Sequence, residues 1–362
     1  MDNISENNNN GCWNLSQVPK KIFFYWGAKR LSFLRYMSLY SFRYFNPDWE
    51  IFLYVPKAMN EVNLWGEEKQ YENLNANIID YMPYVDKLGV SIVEADFNEY
   101  GLDNSINEVH KSDFIRYFLL YNYGGIWADM DILFINPISQ MDCNSLLNKE
   151  YNSFIYVGEQ QGEVLGHAIG FLMSSQGSDY FKNVFNKAKE AYGIPVDFKS
   201  LNNPTLITGE SAASNRQVVG PNKNLQRIRQ RTFRTGRVAR RNLYRSGRKY
   251  KNQTNYQCVG ADLLNRNFHK GIIQARYKDI FYLSKQTVYP IDHMKHTLLY
   301  QEDGLSLIND TYTIGLHWYG GSVHVRHLID LTNHQNYLAS SNGGSLIRLL
   351  KKTFDNGVDI YG

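Results

Sequence analysis

Between residues 21 and 135, short apolar runs alternate with segments of helical periodicity, and that alternation leaves few architectures open. KIFFYW (21–26) is an apolar run ending at Gly27, as a buried strand would be. LSFLRYMSLYSFRYF (31–45) places Leu34, Met37, Tyr40 or Ser41 and Tyr44 at helical spacing, and Asn46-Pro47 stops it. EIFLYVP (50–56) and VSIVEAD (90–96) read as two more strands. Strand, helix and strand in succession predict an α/β fold, a mostly parallel central sheet with crossover helices.

NEVHKSDFIRYFLLYNYGG (107–125) is the clearest helix, with Phe114, Tyr117, Phe118 and Tyr121 in one stripe and Gly124-Gly125 as its stop. IWADMDILFI (126–135) then alternates apolar and polar residues. NSFIYVGE (152–159) and AIGFLMS (168–174) look like further strands, with a helix around 178–192. The short pieces FYL (281–283), TVYP (287–290) and TIGLHWY (313–319) follow. The order divides the chain into a nucleotide-type half to about residue 135 and a mixed half beyond it, with no internal repeat.

The 362 residues carry 43% hydrophobic and 20% charged side chains, which supports a sizeable core and excludes global disorder. No run of about 18 apolar residues occurs, so no spanning helix is expected. The opening MDNISENNNN lacks the features of a secretory signal, and residues 1–17 read as a flexible lead. Three isolated cysteines (Cys12, Cys143 and Cys258) exclude a disulfide scaffold and fit a reducing, cytoplasmic location. The net charge of +4 conceals an asymmetry. Arg216 to Lys251 hold thirteen Lys/Arg and no acid, so the rest of the chain is net acidic. Such a block is either a solvated loop or a contact for a polyanion or an anionic membrane surface.

Chemistry concentrates in Ser112-Asp113, Arg116 and Trp127-Ala128-Asp129-Met130-Asp131. In a continuing strand, Asp129 and Asp131 point the same way. A turn at the strand end instead aims one at a metal and the other at a ribose. Paired hard oxygens suit Mg²⁺ or Mn²⁺ bridged to phosphate, although a lone D-x-D also caps ordinary turns. Asp113 and Arg116, three apart on one helix, are either a surface ion pair worth about 0.3–0.5 kcal/mol or a phosphate and sugar contact. His293/His296 and His324/His327 have metal-compatible spacing but no Glu-x-x-His or Cys partner. The chain has no G-x-S-x-G elbow, dinucleotide fingerprint or P-loop.

SDFIRYFLLYNYGGIWADMDI (112–132) resembles the core of the DXD-containing sugar transferases: the capsular-polysaccharide and yeast mannosyltransferase-like enzymes and, distantly, the clostridial glucosylating toxins. VPKKIFFYWG (18–27) and SLYSFRYFNPDWEIFLY (38–54) extend the likeness. LGHAIGFLMSS (165–175), ITGE with VVGPNKNL (207–225), VYP (288–290) and GLHWYGGS (315–322) echo it in the same order. The resemblance implies a GT-A fold over 18–322 with a basic insertion at about 216–254 and a C-terminal extension over 323–362. It implies a metal-dependent, retaining transfer from a nucleotide-sugar donor, UDP-sugar favoured over GDP-sugar, to a hydroxyl acceptor, most readily a glycan. The alternatives are a nucleic-acid or protein acceptor, or a non-catalytic polyanion-binding protein on the same scaffold.

By position in that family, Trp26 would meet the base, and Asp113 and Arg116 the donor sugar and phosphate. Asp129 would touch ribose or the ion, Asp131 would be the main metal ligand, and His317 would complete the set around Mn²⁺ or Mg²⁺. Trp127, Trp318 and Ser322 would line the donor site. The family's His-Trp-x-Gly-Ser-Trp departs here to His317-Trp318-Tyr319-Gly320-Gly321-Ser322, so Ser322 serves only with a one-residue slip. Arg116, Asp129 and Asp131 would carry the chemistry, and Glu210 and Asp262 are the candidate carboxylates of the acceptor half.

Overall fold

The computed structural model describes residues 14–27, 30–59, 79–141, 150–160, 163–196, 205–207, 210–211, 217–218, 259–268, 273, 276–300, 302–322, 332–339 and 344–354. The thirteen Lys/Arg of the basic block, His324/His327 and the three cysteines lie outside them.

The strands run β1 (Lys21–Tyr25), β2 (Glu50–Pro56), β3 (Ala58–Met59), β4 (Ser91–Ala95), β5 (Gly125–Ala128) and β6 (Ile132–Phe134). They continue as β7 (Ser153–Gln160), β8 (Glu163–Ser174), β9 (Thr205–Ile207), β10 (Gln217–Val218), β11 (Ile280–Tyr282) and β12 (Gly315–His317). The α-helices are α1 (Phe33–Phe45), α2 (Glu108–Tyr123), α3 (Asp179–Tyr192), α4 (Ala261–Asn267), α5 (His334–Ala339) and α6 (Gly344–Thr353).

Eight strands form one sheet in the order β11-β7-β8-β5-β1-β2-β4-β9. Its centre, β5-β1-β2-β4, is parallel, as the strand–helix alternation predicts. The antiparallel pairings come from later in the chain: β8 beside β5, β7 beside β8, and β9 at the far edge against β4. Alternate strand residues feed two cores on opposite faces. Ile22, Phe24, Ile51, Leu53 and Ile126 pack with α1 and α6. Phe23, Tyr54, Val93 and Trp127 pack with α2, α3 and α4.

Local chemistry fixes the elements around the centre. Asn107 caps α2 by accepting a hydrogen bond from the Val109 N–H at 2.8 Å. The stop at Gly124-Gly125 is steric as well as conformational. Their φ angles are 65° and 100°, and a Cβ would come within 2.5 Å of the Gln176 nitrogen or the Lys21 carbonyl oxygen. Glycine thus lets α2 turn straight into β5 against β1.

IWADMDILFI is not one strand. The chain leaves the sheet after Ala128, and Ile132–Phe134 pairs antiparallel with β12 in a separate ribbon. TVYP is a turn, following a 3-10 piece over Lys285–Thr287. No helix among the described residues is long and apolar enough to cross a membrane.

Candidate active site

The break between β5 and β6 places Asp129 and Asp131 on a turn at the carboxyl end of a central strand, where open α/β sheets gather ligands. The Asp129 N–H donates to the Gly170 carbonyl at 2.8 Å, tying the turn to β8. The β6–β12 ribbon, with His317 opposite Ile132, carries His317 alongside. Ligand atoms of Asp129, Asp131 and His317 all lie within 4.8 Å of one another.

Asp113 and Arg116 are no surface pair: each is 3% exposed, on a helix buried on all sides. The Arg116 Nη2 lies 3.2 Å from Asp113 Oδ1 and 3.1 Å from Asp129 Oδ1, while Nη1 donates to the Ile169 carbonyl at 2.7 Å. The Trp127 ring is buried, with the Arg116 guanidinium over it at 4.8 Å, and its N–H donates to Asp129 Oδ1 at 2.8 Å. Two donors therefore hold Oδ1 and leave Oδ2 for the site. Burial pushes the Asp113 carboxyl up to about 7, with Arg116 opposing and Asp129 adding to the shift.

Asp131 Oδ2 accepts from the Gly320 N–H at 2.8 Å. Oδ1 lies 3.2 Å from His317 Nε2, buried and without a well-aligned donor. Burial alone would raise this carboxyl, but the His317 imidazole charge beside it, then the Arg35 charge and the Gly320 N–H, hold it at about 2. In return, burial opposes protonation of His317 while Asp131 outweighs it and raises the imidazole above 6.5.

The residues fit a divalent cation. An orphaned carboxylate oxygen, a second carboxylate and an imidazole nitrogen are a hard-oxygen set with one nitrogen, suited to Mn²⁺ or Mg²⁺. Gly170 forms the floor: a Cβ there would lie 3.1 Å from Asp129 Oδ2, His317 Nε2 and the Tyr289 hydroxyl alike. Gly170→Ala is expected to abolish Mn²⁺ binding with little loss of folding stability. Calorimetric titration beside a melting curve checks this.

The remaining candidates sit as follows. Trp26 follows β1; its N–H donates to the Arg30 carbonyl at 3.0 Å, and Arg35 lies over its ring at 4.5 Å. Trp318 is 1% exposed, and its backbone N–H donates to the Asp131 carbonyl. Ser322 Oγ is engaged with His296 Nε2 at 3.0 Å. His296 Nδ1 lies against the His293 carbonyl, so both ring nitrogens are taken, which disfavours a His293/His296 metal pair. Asp262, in the first turn of α4, is ion-paired with Arg266 at the surface, and Glu210 is exposed. Neither joins the cluster. Gly260, just before α4, abuts Asp113, since a Cβ there would lie 2.5 Å from Asp113 Oδ2.

The sequence reading gave no role to three residues. Gly170 and Tyr289 fall in segments singled out only for their resemblance. The Tyr289 hydroxyl is buried, turned to the cradle and without a hydrogen-bond partner. Arg35 carried no signal at all.

Residues 35–152 match the family model described as "Glycosyltransferase sugar-binding region containing DXD motif". The likeness over that stretch is to a DXD-type sugar-binding region of glycosyltransferases. The matched stretch holds Asp113, Arg116, Asp129 and Asp131; Trp26 and His317 lie outside it.

Solved structures similar to this chain include the glycosyltransferase GlyE of Streptococcus pneumoniae TIGR4 (10% identity, 93% of this chain and 60% of that one, TM-score 0.37). The catalytic domain of alpha-toxin from Clostridium novyi is another (15% identity, 49% and 59%, TM-score 0.32). So is the PaToxG glycosyltransferase (16% identity, 49% and 61%, TM-score 0.29). The chain spans about three fifths of each of these. At such scores the likenesses say nothing of donor or acceptor. No curated protein matches the sequence.

Proposed function

We propose that the chain is a metal-dependent glycosyltransferase that moves a hexose-type sugar from a nucleoside diphosphate, a UDP-sugar before a GDP-sugar, to a hydroxyl of a glycan. The observation that carries this reading is the convergence of Asp129, Asp131 and His317 beside the buried Asp113–Arg116 pair. Mn²⁺ or Mg²⁺ there supplies electrostatic stabilisation of the charge that develops on the departing diphosphate.

The chain's own residues orient the reaction. Arg116 and Trp127 fix Asp129 through Oδ1, so its Oδ2 faces the site without rearrangement. The Gly320 N–H fixes Asp131 in the same way. Asp113 and Arg116 present a carboxylate and a guanidinium to sugar hydroxyls and phosphate. The bond from the acceptor oxygen to the anomeric carbon forms as the bond to phosphate breaks, and the acceptor proton passes to the departing phosphate oxygen. That route retains configuration and requires no carboxylate base. Glu210 and Asp262 are the acceptor-half residues to vary.

A panel of UDP- and GDP-sugars, with Mn²⁺ or EDTA and read by nucleotide release, tests the reading. Release with at least one donor, abolished by EDTA, is expected; no release from any donor contradicts it.

The site also sets a pH dependence. A proton on His317 Nε2 competes with a cation, and Asp131 holds that proton above the usual imidazole range. Mn²⁺ affinity should therefore climb with pH through and above 6.5, then level off once the ring is neutral. His317→Asn should flatten the climb in a calorimetric titration across pH.

A further inference from the structure

Arg35 lies in the first turn of α1, half-buried, with its guanidinium carbon 4.5 Å from the Trp26 ring centroid and 5.4 Å from that of Trp318. Its Nη2 reaches the turn after His317, where a Cβ on Gly320 would come within 3.1 Å of it. Its charge is felt at Asp131 and His317, yet among the described residues it forms no ion pair with a carboxylate.

Two other arginines are spoken for. Arg43 donates to the carbonyls of Leu88, Pro47, Trp49 and Gly89, and Arg266 pairs with Asp262. Arg35 alone among these has its guanidinium carbon close to two indole rings and no donor committed to an acid. Stacking engages the face of a guanidinium and leaves its edge of N–H groups for in-plane acceptors. A planar fork matches phosphate oxygens in a way an ammonium does not.

We propose that Arg35 is a phosphate-binding residue, clamped by Trp26 and Trp318 so that its N–H edge engages the diphosphate of the nucleotide donor beside the cation cradle. The proposal rests on the nucleotide-sugar reading above and extends it to a residue outside the acidic cluster. Two carboxylates at the cradle repel a diphosphate, and Arg35 offers a fixed positive partner on the Gly320 side. The two rings restrict its rotamers before the ligand arrives, which lowers the entropy lost on binding. The arrangement also defines what Trp26 does, since one region of its ring already carries the guanidinium and is closed to a base unless Arg35 moves.

The test is a calorimetric titration of the full chain in Mn²⁺ with UDP and GDP, and in parallel with uridine and guanosine, at two salt concentrations. Arg35→Gln should weaken diphosphate binding by about ten- to a hundredfold, the range for one charged hydrogen-bonding contact. It should also flatten the salt dependence while leaving nucleoside affinity in place. Arg35→Lys, which keeps the charge without the planar fork, should fall between it and the wild type. Unchanged diphosphate binding in Arg35→Gln overturns the proposal, as does an equal loss for nucleoside and diphosphate, which marks a packing role. A wild-type chain that binds neither diphosphate in Mn²⁺ overturns the nucleotide-sugar reading instead.

Discussion

Asp131→Asn is expected to lower sugar transfer by about 10²–10³, the loss typical of one preorganised electrostatic contact. An amide oxygen still accepts from the Gly320 N–H, so the turn keeps its shape while its charge disappears. Mn²⁺ affinity should fall with the rate, which a steady-state assay beside a binding titration would show. The same variant changes the acid limb of stability. Asp131 is held at about 2, below its unfolded value, so its contribution is present above about pH 4 and fades as the pH drops toward 2. Asp131→Asn should lack that part of the acid loss, read from denaturation midpoints over that range.

Arg116→Met should have the largest effect on the fold. Removing one partner of a buried pair costs about 3–5 kcal/mol, because it leaves a charge without compensation. Here Asp113 would be stranded in an apolar helix contact, with Asp129 as its remaining charged neighbour. Asp113 already sits near 7, so it can shed the penalty by protonating in acid. The destabilisation should therefore be greater at pH 8 than at pH 5.5 in urea unfolding. Adding Asp113→Asn to Arg116→Met should restore much of the stability and none of the activity. An ion pair with a purely structural role would instead recover both.

These two residues show what the chain's pattern does and does not disclose. The stripe Phe114, Tyr117, Phe118 and Tyr121 marks one face of α2, and that face packs against α3 as periodicity implies. Periodicity is silent about the polar face, which is buried too, by Asp129, Ile169 and Gly260 arriving from distant segments. The surface-pair reading of Asp113 and Arg116 failed for that reason.

The D-x-D was visible as residues, but its two geometries were not separable until Ile132–Phe134 was seen to leave the sheet for β12. Trp127 and Trp318 were placed by resemblance in the donor site. Both rings are buried in the structure: the Trp127 indole N–H holds Asp129, and it is the backbone N–H of Trp318, not its ring, that holds the Asp131 carbonyl. Gly170 and Tyr289 depend on β8 lying beside β5 and on the 285–290 turn, pairings across dozens of residues that no local spacing encodes.

The most direct measurement is anomalous diffraction from crystals of the chain soaked with Mn²⁺ and UDP. A manganese peak at bonding distance from Asp131, with Asp129 and His317 about it and the diphosphate on its open side, is the result expected. Density for the nucleotide with the metal peak elsewhere, and both aspartates turned away from it, would contradict the assignment of this turn as the reaction centre.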